Sequence, residues 1–103
     1  TLWTWGYNDK GQLGHNNTTQ YSSPTQIPGT TWSNVTSTIQ SIIAVKTDAT
    51  MWSWGYDQFG ELGLNESGDP ARISSPTQIT GDWKQGVRKM GSTMNGFMAI
   101  KDL

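Results

Sequence analysis

Leu2-Trp3-Thr4-Trp5-Gly6-Tyr7 returns further along the chain as Met51-Trp52-Ser53-Trp54-Gly55-Tyr56. Gly11-Gln12-Leu13-Gly14 returns in the same register as Gly60-Glu61-Leu62-Gly63. Ser22-Ser23-Pro24-Thr25-Gln26-Ile27 returns as Ser74-Ser75-Pro76-Thr77-Gln78-Ile79. The 103 residues are therefore two copies of one unit, and a period of about 50 residues is the mark of a solenoid, a propeller or an array. Such scaffolds bind through loops on one face rather than through a private catalytic pocket. The copies divide as 1–49 and 50–103, with blade boundaries in space shifted from that division.

Working outward, each copy reads as short strands separated by Gly, Asn and Ser turns. The two-residue period of a strand places Trp3 and Trp5 on one face, with Leu2, Thr4 and Gly6 on the other. Ile42-Ile43-Ala44-Val45 and Phe97-Met98-Ala99-Ile100 are apolar on both faces, the pattern of a short strand covered on both sides. A tight hairpin turn is expected at Asp48-Ala49, with further strands near 25–28, 35–37, 77–80 and 87–90. Long polar loops are expected at 7–20 and 56–72, and no segment has an amphipathic helical period. The second loop is three residues longer, around Ser67-Gly68-Asp69-Pro70, as a repeat scaffold tolerates.

Composition excludes several function classes. Seven basic residues against eight acidic ones give a formal net charge of −1, which offers no electrostatic case for nucleic acid or an anionic membrane. There is no cysteine, hence no disulfide framework and no thiolate metal site, and one histidine cannot build a multi-histidine cluster. No segment approaches the roughly 20 apolar residues of a membrane-spanning helix. Apolar mass is concentrated in six tryptophans, as in β repeat proteins.

The recurring Leu-Trp-x-Trp-Gly-x-Asn-x-x-Gly-Gln-Leu-Gly, Ser-Pro-x-x-Ile, Trp-x-x-Val and Ala-Ile/Val-Lys-x-Asp elements resemble the repeat of the regulator of chromosome condensation (RCC1) family, twice over. The resemblance implies an all-β fold: two blades of an RCC1-like β-propeller, part of a seven-bladed ring. The sequence departs from the family pattern where an Ala-Gly-x-x-His element precedes the Ala-Ile-Lys strand, and at the hairpin, where Asp48-Ala49 stands for Asp-Gly. Ala99-Ile100-Lys101-Asp102 matches Ala44-Val45-Lys46-Thr47, so the two halves of one hairpin fall at opposite ends of the chain. Two repeats leave sheet faces and strand edges uncovered. The expectation is a portion of a longer chain, or a protomer of a ring-forming oligomer.

Repetition assigns Trp3, Trp5, Trp52 and Trp54 to blade packing rather than to an aromatic binding surface. The repeated glycines lack a following Lys-Ser/Thr and read as turns, not as a phosphate loop. The acidic residues of the second loop read as solvated, and His15 as a surface loop residue. No metal, cofactor or catalytic set is expected. Function is expected where the copies disagree: Tyr7, Asn8, Asp9 and Lys10 against Tyr56, Asp57, Gln58 and Phe59, with the insertion at 67–72. Loop tips on a rigid β scaffold are where partners dock. The reading is a non-enzymatic segment for protein–protein interaction or structural assembly, in a bacterial or phage surface or virion protein. Its partner is another protein or the neighbouring blades. The alternatives are guanine-nucleotide exchange on a small GTPase and a carbohydrate-binding propeller.

Overall fold

The computed structural model describes residues 1–57, 60, 62–64 and 72–79, and the backbone of 87–92 and 97–101. Eight strands run in chain order: β1 (Leu2–Gly6), β2 (Tyr21–Ile27), β3 (Trp32–Ser37), β4 (Ser41–Lys46), β5 (Met51–Tyr56), β6 (Arg72–Ile79), β7 (Val87–Ser92) and β8 (Phe97–Lys101). All pair antiparallel, as a two-stranded sheet β1-β2, a four-stranded sheet β3-β4-β5-β6 and a two-stranded sheet β7-β8. No helix occurs among the described residues, and none is long and apolar enough to cross a membrane. The middle sheet draws two strands from each copy of the sequence repeat, so the blade spans the junction of the copies.

Every expected strand is present, and several run longer than their apolar signal. β2 starts at Tyr21 because its pairing with β1 continues past an irregularity at Trp5 to Gly6↔Tyr21. β6 is irregular at the corresponding place, opposite Trp54. Each outer strand uses two more residues there than the strand it faces, so the bulge lies in β2 and β6, opposite the tryptophan. Pro24 and Pro76 sit in β2 and β6, each at the outer edge of its sheet. Proline has no N–H to give a further neighbour, so it fits an edge strand.

The hairpin joining β4 to β5 turns at Asp48-Ala49. The Lys46 amide donates to the Thr50 carbonyl and the Ala49 amide to the Lys46 carbonyl. Ala49 has a φ of 67°, the left-handed conformation that glycine adopts without a Cβ penalty. The Asp48 carboxylate compensates by accepting from both the amide and the hydroxyl of Thr50.

β7-β8 copies β3-β4 closely. Ala44 faces Val35, Ile43 faces Thr36 and Ile42 faces Ser37, and the corresponding Ala99, Met98 and Phe97 face Met90, Gly91 and Ser92. The same irregularity follows one residue from the start of each pair, so Val87 takes the place of Trp32. Trp83 lies outside the described residues.

Alternation along β4 and β5 sends apolar side chains to both faces of the blade. One face gathers Ala44, Trp54 and partly buried Trp32, Ile42, Trp52 and Ile73 against Leu2 and Ile27 of the β1-β2 sheet. The other gathers Ile43, Val45, Met51 and Ile79, with Leu64 packed beside them. β7 lies alongside β3.

Candidate functional site

The loops following β1 and β5 share one internal architecture. Asn8 is fully buried: its carboxamide nitrogen donates to the carbonyls of Asn17 and Thr19, and its oxygen accepts from the Leu13 amide. Asp57, equally buried, accepts from the Leu62 amide in the same way. Thr4 donates to the Leu13 carbonyl and Ser53 to that of Leu62. Leu13 and Leu62 are thereby folded back under their loops as buried plugs. A buried polar side chain must find partners inside the protein, and here those partners are the loop's own backbone. Asn8 and Asp57 are thus withdrawn from the contact rim expected of them and serve as loop staples.

Of the remaining candidates that the structure describes, Tyr7 is exposed and Asp9, Lys10 and Tyr56 are half-buried, and the fold brings several together. Tyr7 is 58% exposed. Lys10 pairs with Asp9 at 3.7 Å and holds its ammonium 5.3 Å from the centre of the Tyr56 ring. Arg72, on the far strand of the blade, donates to the Asp9 carbonyl at 3.3 Å. Two successive repeats thus build one rim from Asp9, Lys10, Tyr56 and Arg72. Gln58 and Phe59 lie outside the described residues, as does most of the 67–72 insertion. The first loop is also docked on the blade, with the Asn16 amide donating to the Ser74 carbonyl at 2.6 Å.

A second feature escaped the sequence reading. Lys46 lies 4.7 Å from the Trp32 ring centre and 4.3 Å from that of Trp52, so its cation sits over two indole faces. This group borders a cleft of about 420 Å³ whose other wall includes His15, Tyr21 and Pro28. His15 is half-buried there rather than free on the surface, with its Nε2 2.9 Å from the Thr4 hydroxyl and its ring 4.9 Å from that of Tyr21. Only the recurrence of Ala-Val/Ile-Lys before the hairpin hinted that Lys46 has a fixed place. Among the described residues no three His, Asp or Glu side chains gather to hold a metal.

The two copies differ most at their second tryptophan. Trp54 is completely buried, and its indole N–H donates to the Gln12 carbonyl of the preceding repeat at 3.0 Å. Its ring meets Trp32 edge-on at 5.8 Å. Gly14 lets it in, since a Cβ there would come within 2.8 Å of the indole nitrogen. Trp5 is 56% exposed and Trp3 47% exposed.

Comparison with known proteins agrees with this geometry. Residues 1–42 match the family model of the regulator of chromosome condensation (RCC1) repeat. No curated protein matches the chain in sequence. Among solved structures, human WBSCR16 superposes with a TM-score of 0.78 at 21% identity, over 96% of this chain and 25% of that one. Yeast RCC1 (Prp20), solved with Kap60 bound, gives a TM-score of 0.71 at 22% identity, over 85% of this chain and 20% of that one. The chain thus spans a quarter or less of the solved proteins it resembles. In sequence over its first repeat, and in fold over nearly its whole length, it is similar to the RCC1-repeat β-propellers.

Proposed function

We propose that this chain is a non-enzymatic propeller segment that mediates protein–protein interaction or structural assembly. The observation that carries the reading is the rim itself. Lys10 and Tyr56 are presented side by side by loops whose interiors are fixed by the buried Asn8 and Asp57, with Tyr7 exposed where the first loop begins. Tyrosine and a cation on a rigid support suit a protein contact, because little side-chain freedom is lost on binding. The units 1–49 and 50–103 act in this reading as two successive repeats, completed by others to the seven blades of the family. Loops rich in Asn and Thr, with a net charge of −1, fit a bacterial or phage surface or virion protein better than a nucleic-acid-associated one.

The test is cross-linked capture from the source cell or particle with the wild-type chain and with the variant Tyr7→Ala/Lys10→Ala. A partner captured by the wild type and reduced about tenfold or more by the variant supports the rim. An identical captured set from both chains rejects it.

A further inference from the structure

The cleft of about 420 Å³ between β2 and the four-stranded blade is separate from the loop rim, since none of Asp9, Lys10, Tyr56 and Arg72 lines it. All of its walls fall between Gly14 and Pro76, inside the two copies. Its size suits a small ligand. The copies disagree here. His15 and Tyr21 stand where the second copy has Leu64 and Ile73. Leu64 and Ile73 pack against the apolar clusters of the blade. Aliphatic residues therefore satisfy the repeat at these two positions, and the polar ring pair of the first copy answers another need.

The hydrogen bonds already made fix what each cleft residue still offers. The Thr4 hydroxyl donates its one proton to the Leu13 carbonyl, so toward His15 it accepts. His15 Nε2 then carries the proton, and in the neutral ring Nδ1 is left as an acceptor. The Asn17 carboxamide oxygen accepts from the Asn8 side chain and the Thr19 amide, and its nitrogen donates to the Tyr21 phenol oxygen. That leaves the Tyr21 O–H to donate. Lys46 supplies the charge. Its ammonium lies over Trp32 and Trp52 and makes no ion pair among the described residues. No described Asp or Glu lines the cleft. The indole N–H groups of Trp32 and Trp52 donate to the Pro28 carbonyl and the Thr50 hydroxyl, which holds both rings in place behind the cation. A site fixed in advance loses little freedom on binding.

We infer that this cleft binds a carboxylated sugar, a uronic acid residue of a glycan, with its carboxylate on Lys46 and its ring hydroxyls on the Tyr21 O–H and His15 Nδ1. Three features select that chemistry. One ammonium without a carboxylate partner matches one negative charge, so a carboxylate fits where a phosphate would ask for more donors. A donor and an acceptor on two rings with centroids 4.9 Å apart suit sugar hydroxyls, each of which both gives and takes a hydrogen bond. The apolar surfaces of Tyr21, Trp52 and Pro28 suit the C–H face of a pyranose. A purely hydrophobic acid would cover the polar atoms of Tyr21 and His15 without bonding them, which costs affinity. The inference goes beyond the protein-contact reading and uses none of the rim residues.

The experiment titrates the 103-residue chain with a glucuronic-acid-terminated disaccharide, the matched glucose disaccharide and benzoate, by calorimetry and by the indole N–H signals in nuclear magnetic resonance. The acidic disaccharide is expected to bind about tenfold or more tighter than the neutral one, the effect of one charge-assisted hydrogen bond, and to shift the Trp32 and Trp52 signals. Lys46→Met keeps the length of the side chain and should remove that preference while leaving the binding of the neutral sugar unchanged. The double variant His15→Leu/Tyr21→Ile installs the residues of the second copy. It should weaken both sugars about tenfold or more with an unchanged strand circular-dichroism spectrum. A chain that binds none of the three probes overturns the inference. So does a neutral sugar bound as tightly as the acidic one, benzoate bound as tightly as the acidic sugar, or binding that neither variant alters.

Discussion

β1 and β5 carry nearly the same sequence and have opposite surroundings. Their described hydrogen bonds repeat, down to the indole N–H of Trp3 donating to Thr1 and that of Trp52 donating to Thr50. Yet Trp54 is sealed between two sheets, and Trp5 is more than half exposed. The difference teaches that the local motif makes the strand, the bulge and the loop plug by itself. The neighbouring sheet then decides whether the tryptophan is core or surface.

The sharpest way to break this comparison is to truncate both tryptophans. Trp54→Ala removes a fully buried indole and strands the Gln12 carbonyl, and should destabilise the chain by about 3–5 kcal/mol in urea unfolding. Trp5→Ala should cost about 0.5 kcal/mol, as for a surface substitution. Equal losses would mean that the two copies do not differ in packing.

The glycine pair comes next. Gly55→Ala adds a clash with the backbone of Gln40 and Ser41 to a positive φ, for a loss of about 2–4 kcal/mol. Gly6→Ala meets no neighbour and should lose only about 1–2 kcal/mol from the backbone conformation. Thermal melts of the two variants measure the gap, and its disappearance would mean that Gly6 and Gly55 do not differ in what lies against them.

Smaller effects belong to the hairpin that holds β4 on β5, the pairing β1 lacks within the described residues. Ala49→Gly relieves the left-handed φ and should stabilise by about 0.5–1 kcal/mol, read as a raised melting temperature. A lowered one would mean that the flexibility of glycine in the unfolded chain outweighs the relief. The smallest effect is electrostatic. The Thr50 hydroxyl bonded to Asp48, then the Thr50 amide, and Lys46 nearby, hold its carboxyl below the ordinary 3.8. A depressed acid stabilises the fold above its unfolded pKa and loses that contribution as pH falls through the folded value. Wild-type melting should therefore drop slightly more than that of Asp48→Asn on acidification below pH 3.8, and parallel curves would exclude the role.

Much of this was legible in the residues. Alternation of Trp and small residues marked β1 and β5, and the doubly apolar run at Ile42 marked a strand covered on both faces. The rim was half legible. Disagreement between the copies pointed to Lys10, but a sequence cannot show that Asn8 and Asp57 point inward, because the same residue types serve exposed turns and buried staples. Nor could it bring Arg72 to Asp9, since that contact depends on how the first repeat's loop lies across the blade.

The sequence by itself determined the repeat, the all-β class, the strand positions and the turn at Asp48-Ala49. All of these follow from local backbone preference and a two-residue hydrophobic period. Only the tertiary structure decided that Lys46 lies over Trp32 and Trp52, and that Trp54 is core where Trp5 is surface. Those outcomes depend on which sheet lies next to which, and burial is a property of the neighbour as much as of the residue.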